Sequence, residues 1–247
     1  MCLHIKKLGT SRSYREDCGE FLCDGLKLLE EAIKCEAEIT TVITTSRISF
    51  SLPVETRLFN AERALIDSIS PLTNAQDALF ICKIPETGEC VKWDDFHSGA
   101  HILLDGVQDP GNVGTIIRTA NAFGVKSVIL TGTCADLYNP KTIRAAMGAT
   151  FRQKICRLDY ADLERLKDNG ARFIGAALGE TSSEISKVSL EDSIVAIGNE
   201  GAGLSEQVLS LCGSRVMIPI SRDCESLNAA VAAAIIMWSA SGQKISR

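Results

Sequence analysis

From about residue 101 onward, short apolar runs alternate with segments of helical spacing. The runs are apolar at nearly every position, not at every second one. Residues 102–107, 127–130, 154–158, 172–178, 194–197 and 215–220 read as strands, and 112–123, 140–147, 161–169 and 204–211 read as helices. A strand with no polar face has both faces covered, and strands separated by helices run parallel because a helix carries the chain back. The pattern therefore predicts an α/β domain built on a parallel sheet. In such sheets ligands bind beyond the carboxyl ends of the strands. Glycine and small polar residues mark three of those ends.

The first hundred residues read as a smaller α/β unit. Residues 20–23 are a short strand, and 25–33 carry apolar side chains at 26, 28, 29, 32 and 33, a helical spacing. The β-branched run 39–45 is a second strand, 58–69 has helical periodicity, and 79–84 is another strand. Pro85-Glu86-Thr87-Gly88 is a turn signal and 93–99 is polar, which sets a boundary near 90–99. The expected domains are 1–97 and 98–247.

Composition narrows the class. With 247 residues, 45% hydrophobic and 23% charged, the chain has material for a sizeable core. No signal peptide is visible at the N-terminus. The most apolar run, 227–240, is too short for a membrane span and contains Asn228 and Ser239, so it reads as a buried helix and the protein as cytoplasmic. Ten cysteines are scattered with no Cys-x-x-Cys pair, and His4, His97 and His101 make no zinc-like cluster with them. Buried free thiols and no metal site are the expectation.

The net charge of −5 sits entirely in residues 1–97, while 98–247 balance to zero. Two basic clusters interrupt this. Lys6, Lys7, Arg12 and Arg15 precede any acid, and Lys141, Arg144, Arg152, Lys154 and Arg157 lie between Asp136 and Asp159 with no acid among them. Such clusters are solvated faces or phosphate contacts. Arg12, Arg15, Lys141, Arg144 and Arg152 are the candidate phosphate contacts.

Asp109-Pro110-Gly111-Asn112-Val113-Gly114 ends a strand and opens a helix, where backbone N–H groups can face an anion. Its glycines have neither dinucleotide nor P-loop spacing. Arg118 sits two turns in, among Ile116, Ile117 and Ala120. A charge there needs a partner, either within the protein or on a substrate. Gly198-Asn199-Glu200-Gly201-Ala202-Gly203 has three glycines in six positions, which calls for unusual backbone angles or close approach to the main chain. Ile218-Pro219-Ile220 ends a strand at a residue that cannot donate to a ladder. Ser226-Leu227-Asn228 opens the Ala-rich helix, with Ser226 or Asn228 as a cap or a ligand contact.

Together these stretches resemble the SpoU (TrmH-like) branch of the SPOUT RNA methyltransferases. The family's first motif, Asn-x-Gly…Arg-x-Ala…Ala-Phe-Gly, is matched by Asn112, Gly114, Arg118, Ala120, Ala122, Phe123 and Gly124. Its second is matched from Gly198 to Ser205, and its third at Ile218, Pro219, Ser226, Leu227 and Asn228. The chain departs from the pattern at Ala229-Ala230-Val231, where Val-Ser-Val is common, and at Ala146, where serine is common. Phe21-Leu22-Cys23-Asp24-Gly25 resembles the start of a ribosomal-protein-like RNA-binding domain, with Cys-Asp-Gly in place of Val-Glu-Gly.

The resemblance implies a C-terminal domain with a deep trefoil knot and a homodimer formed through the 227–240 helix. It implies S-adenosylmethionine held largely by backbone around Gly198, Ile218 and Leu227, and methyl transfer to a ribose 2′-hydroxyl of ribosomal or transfer RNA. Arg118 would be the catalytic arginine, with Asn112 orienting it, Glu200 supporting the site, and Ser226 and Asn228 lining it. A guanidinium with a pKa above about 12 is a poor base, so holding a phosphate or steering the hydroxyl is the safer role. A non-catalytic RNA-binding protein that keeps the fold, or a nucleotide-dependent oxidoreductase, are the rival expectations; the second lacks its fingerprint.

Overall fold

A computed structural model describes residues 1–85, 96, 98–179, 182–221 and 223–241. The chain packs as two compact units. The first comprises Met1–Thr87 with Asp136–Arg152, and the second Gly88–Ala135 with Gln153–Arg247. The boundary read near 90–99 and most of the 85–88 turn lie outside the described residues. The return of 136–152 to the first unit is not visible in the linear order of motifs.

The first unit begins with two helices that the hydrophobic pattern does not announce, α1 (Cys2–Thr10) and α2 (Arg12–Cys18). Next come β1 (Glu20–Asp24), α3 (Leu26–Lys34), β2 (Ile39–Thr44), β3 (Arg57–Asn60), α4 (Arg63–Ile69) and β4 (Ala78–Lys83). The sheet order is β1-β4-β2-β3, with β4 antiparallel to both neighbours and β3 parallel to β2. The expected helix over 58–69 is corrected here. Its first residues form β3, whose four side chains are all exposed, and helix begins only at Arg63, with Ile66 and Ile69 buried. Backbone pairing to β2, more than a dozen residues away, overrides a local periodicity.

Ile5 and Leu8 of α1 pack with Leu22, Ile43, Ile66 and Leu79 on one side of the sheet. The other side carries Phe21, Leu29, Val42 and Phe80 together with Ile143, Tyr138 and Phe151 of the returning segment. That segment contains α6 (Pro140–Ala146; α5 lies in the second unit). It is anchored by Arg15, which is 3% exposed. The Arg15 guanidinium donates to Asp136 Oδ2 through Nε at 2.9 Å and Nη2 at 2.5 Å, and to the Leu8 carbonyl through Nη1 at 2.5 Å. Asp136 Oδ1 in turn accepts from the Tyr138 amide at 3.0 Å.

The second unit is the parallel sheet. Its strands are β5 (Ala100–Asp105), β6 (Ser127–Thr131), β7 (Ile155–Arg157), β8 (Phe173–Ala176), β9 (Ser183–Glu184), β10 (Ser193–Ile197) and β11 (Ser214–Met217), in the order β7-β6-β5-β10-β8-β11-β9. All the pairings are parallel. The helices are α5 (Pro110–Ala122), α7 (Tyr160–Asp168), α8 (Glu206–Leu211) and α9 (Ala229–Ala240). The strands and helices read from the sequence in this region are all present, with ends shifted by a few residues. On one side of the sheet, Leu103, Ile129, Phe173 and Ala196 pack with Leu163, Leu166 and Val208 of α7 and α8. Helix α9 is apolar on all sides, as suits a helix with no wholly solvated face. It lies along α5, with Phe123 against Trp238 edge to face at 5.7 Å.

Among the described residues no helix is long and apolar enough to cross a membrane. Nine cysteines are described and all are free thiols. Four are buried (Cys23, Cys82, Cys134 and Cys156), but Cys2 and Cys224 are exposed, so the expectation of uniformly buried thiols is corrected.

Two predictions follow from the first unit. Removing the Arg15 guanidinium strands the Asp136 carboxylate, so Arg15→Ala should destabilise the unit by about 3 kcal/mol. Denaturant dependence of hydrogen exchange in the 136–152 amides reads this, and a loss under about 1 kcal/mol would contradict the anchoring role. Asp24 is 8% exposed, with Oδ1 accepting from the Gln76 amide at 3.0 Å and Oδ2 unpartnered. Burial pushes its carboxyl up from the usual range, more strongly than the Gln76 bond and Arg144 and Arg63 lower it. The folded state therefore holds this proton more tightly than the unfolded chain. Stability from it falls as pH rises from about 4, the unfolded value, through the raised pKa. Measured against Asp24→Asn, the wild type should gain stability as pH is lowered through that window.

Candidate active site

Three strand ends of the second unit carry the site. After β5 the chain turns into α5, and the N-cap is Asp109, whose Oδ1 accepts from the Asn112 amide at 2.8 Å. Pro110 takes the first helical position, where a missing N–H costs nothing. Of the backbone N–H groups expected to face an anion at this helix end, that of Asn112 is already satisfied by Asp109. The Asn112 side chain is released for other bonds.

After β10, residues 199–203 close on themselves. The Asn199 and Gly203 backbones exchange bonds at 2.9 and 3.0 Å. Asn199 Oδ1 accepts from the Gly201 and Ala202 amides, and its Nδ2 donates to the Gly106 carbonyl at 2.9 Å. A Cβ at Gly198 would lie 2.2 Å from the Gly203 carbonyl carbon, and Gly203 itself has φ +71°. The close approach that demands glycine is thus between two parts of the same loop. The third end, after β11, leads to Asn228, the N-cap of α9, whose Oδ1 accepts from Ala230 N at 2.9 Å and Val231 N at 3.3 Å.

These three ends meet through side-chain amides. Asn228 Nδ2 donates to Asn112 Oδ1 at 3.0 Å, and Asn112 Nδ2 donates to Glu200 Oε1 at 2.7 Å. The direction of the chain is fixed by chemistry. The α9 amides require an acceptor, so the Asn228 oxygen faces them and its NH₂ faces outward. Asn112 must then turn its oxygen to Asn228 and its own NH₂ to a group that only accepts, the Glu200 carboxylate.

Beneath this chain sits a carboxylate that sequence reasoning missed. Asp105, at the end of β5, is 3% exposed. It accepts from the Ser205 amide at 2.7 Å and from the Tyr160 hydroxyl at 3.2 Å. Burial pushes the Tyr160 hydroxyl up from its ordinary value, which keeps it a donor. Ser205 caps α8, so Asp105 fixes the far end of the loop that carries Glu200. The signal available was a charged residue closing an apolar strand, Ile102-Leu103-Leu104-Asp105. Asn199 was likewise missed, between two residues that were singled out.

A pocket of about 150 Å³ opens beside the third strand end, lined by Ala177, Met217, Ile218, Ser226, Leu227 and Ile236 among others. It contains the expected cofactor residues Ile218 and Leu227, and also Ser226, which was expected as catalytic. Gly198 is not among its lining residues. The lining from β8 and the residues after it, Ala176 to Leu178, was not anticipated; small residues at a strand end were the available sign. The walls are apolar side chains and exiting backbone with few polar side chains, which suits a ligand held by main-chain groups and van der Waals contact.

Arg118 lies on the exposed face of α5 and has no hydrogen bond or ion pair among the described residues. Of the two partners expected for it, one within the protein and one on a substrate, the first is not found among the described residues: the helix turns Arg118 to solvent, while Ile116, Ile117 and Ala120 are buried.

The expected RNA contacts lie in the first unit. Arg12 is paired with Glu16 at 2.8 Å along α2. Arg15 is corrected as an RNA contact, because its charge is buried and spent on Asp136. Lys141 is exposed, Arg144 donates to the Asn74 carbonyl at 2.9 Å, and Arg152 is paired with Glu31. Arg152 and then Lys34 hold the Glu31 carboxyl below its usual range.

Comparison with known proteins agrees with this geometry. The chain is 32% identical over 238 residues to the 23S rRNA (guanosine(2553)-2′-O)-methyltransferase RlmP of Bacillus subtilis (strain 168), covering 94% of this chain and 92% of that one. The AdoMet-bound rRNA methyltransferase from Sinorhizobium meliloti superposes with a TM-score of 0.85 at 27% identity, over 99% of this chain and 95% of that chain. The SpoU methyltransferase AviRb from Streptomyces viridochromogenes, in complex with AdoMet, superposes with a TM-score of 0.83 at 26% identity, over 99% and 98%. Residues 99–238, which hold the hydrogen-bonded chain and the pocket, match the family description itself, and the protein belongs to the SpoU rRNA Methylase family.

Proposed function

We propose that this protein transfers a methyl group from S-adenosylmethionine to a ribose 2′-hydroxyl of RNA, with ribosomal RNA as the substrate class and transfer RNA as the alternative. The observation that carries the reading is the Glu200–Asn112–Asn228 chain, which ties three family motifs together, Asn228 following directly on the pocket residues Ser226 and Leu227. The residues present fit the cofactor: the pocket is apolar, and the loops around it leave main-chain groups to hold the polar parts. When bound, the cofactor supplies a methyl group already activated by its sulfonium charge.

The protein's remaining tasks are alignment and proton removal. Asn112, held at both ends of its side-chain amide, presents a fixed group in the first turn of α5, the helix that bears Arg118. Arg118, exposed and without a partner among the described residues, is available to hold an RNA phosphate or steer the hydroxyl. Ser226 is exposed at the pocket rim, where it can accept or donate to either ligand. Gly198 acts indirectly, by letting the Glu200 loop close.

Four further assignments belong to this reading. The 218–241 segment completes a deep trefoil knot; the placement of β10 between β5 and β8 and of β11 beyond β8, followed by the return of α9 onto α5, supports it. Two copies pair through α9, where Val231 and Trp238, one heptad apart, are each 49% exposed. The first unit binds the RNA, with Lys141, Arg144 and Arg152 as its phosphate contacts and Arg12 as a weaker one, and the enzyme works in the cytoplasm, where its RNA is.

Arg118→Ala should lower the methyl-transfer rate by about 100-fold or more, while S-adenosylmethionine affinity by titration calorimetry stays within about threefold. Near wild-type transfer would remove Arg118 from catalysis, and no cofactor binding by the wild type would favour a non-catalytic RNA-binding protein. Asn112→Asp keeps an acceptor for Asn228 but sets a carboxylate against Glu200. It should cut the rate by about tenfold or more, and Glu200→Gln in the same chain should recover part of the loss. If the double variant is no better than Asn112→Asp alone, the two side chains are not coupled as described.

A further inference from the structure

The first unit contains a pocket of about 690 Å³ at the end of its sheet where β1 begins and β4 ends. Nothing in the proposed transfer reaction uses it. One wall is aromatic. Tyr138 and Phe151 are half-buried and share the ring of Phe21 behind them, at centroid distances of 4.7 and 6.2 Å. The lining also includes the turn after α3, with Glu36 and Glu38. Both are exposed, and neither makes an ion pair or side-chain hydrogen bond among the described residues. The one lining cation, Lys83, is paired with Glu20 at 2.9 Å. The mouth is therefore negative. The Thr150 hydroxyl, also in the lining, is buried with no partner, a state that costs about 1–3 kcal/mol unless a ligand or water satisfies it.

This combination rejects one part of a nucleic acid and accepts another. Free carboxylates repel the phosphate backbone. They accept from the amino groups on base edges, as glutamate does from the cytosine amine, while aromatic rings stack on base faces. The volume lies in the range of small-ligand pockets and suits one base. We propose that this pocket receives a single unstacked nucleobase bearing an exocyclic amine, from a single-stranded part of the RNA substrate. The assignment rests on the RNA reading above and deepens it. It also accounts for an RNA-binding unit whose first 97 residues carry net negative charge: part of the recognition is of a base and not of the backbone.

Cytidine and uridine are matched probes, because they differ at the amine. Titrated separately into the full chain and followed by NMR of the first-unit amides, cytidine should bind about tenfold tighter than uridine, with shifts centred on residues 36–38, 138 and 151. Glu36→Gln with Glu38→Gln should reduce that preference to less than about threefold, and Tyr138→Leu should weaken both nucleosides. Cytidine affinity should change little with salt, since no phosphate is involved. Equal affinities, shifts located elsewhere, or a preference that survives the glutamine pair would overturn the proposal. The glutamine variants lie on an exposed turn, so the test stands even where Tyr138→Leu fails to fold. Nucleoside binding needs neither cofactor nor methyl transfer. A wild type that methylates RNA but binds no cytidine refutes the pocket alone, and one that binds cytidine here but transfers no methyl refutes the transfer reaction alone.

Discussion

The second unit's site depends on a helix cap. The first amides of α9 have no partner within the helix, and Asn228 satisfies two of them with its side-chain oxygen. That demand sets the orientation of Asn228, then of Asn112, and ends on the Glu200 carboxylate. A local need, common to every helix, is propagated across 116 positions of sequence into a fixed polar array. Asp105 plays the same part from below, holding Ser205 and Tyr160 so that the loop bearing Glu200 has a rigid far end. Neither carboxylate needs to touch a ligand to matter; each orders groups that can.

The division between legible and illegible features follows the range of the forces involved. Strands 193–197 and 127–131 were plain because their burial on both faces leaves an unbroken apolar run. Helices α5 and α7 were plain because their buried residues recur at helical spacing. Helix α1 was not announced, since only Ile5 and Leu8 face the core and the basic residues between them drew the reading toward charge. Strand β3 was mistaken for helix because its pairing with β2 is non-local and its side chains, all exposed, carry no pattern.

The site divides in the same way. Its members Asn112, Glu200, Ser226 and Asn228 were named from motif position, and three of them meet in one hydrogen-bonded chain. What the motifs could not convey was the direction of each bond, or that Asp109 caps α5 and so frees the Asn112 side chain. Among its apolar sequence neighbours Arg118 reads as a charge in need of a partner, in the protein or on a substrate. On a helix, neighbours in sequence point elsewhere, and the side chain is exposed. Arg15 went the other way: a basic residue in a basic run proved to be the most deeply enclosed charge of its unit, which composition alone could not distinguish from a solvated face.

The Arg15–Asp136 pair has a bearing on how such a chain evolves and how it can be cut. Residues 136–152 belong to the first unit, yet they are strung between β6 and β7, two neighbouring strands of the second. The polypeptide therefore passes from one unit to the other three times, not once. A fragment made by severing only the first crossing, at 87–88, would keep β6 and β7 but carry Tyr138, Ile143 and Phe151 stripped of the Phe21 side of their core, and Asp136 stripped of its arginine. Such a piece would expose an oily, unpaired insert on an otherwise finished sheet. The two units are consequently not interchangeable cassettes: any ancestral swap of the RNA-facing half had to bring a matching 136–152 insert with it.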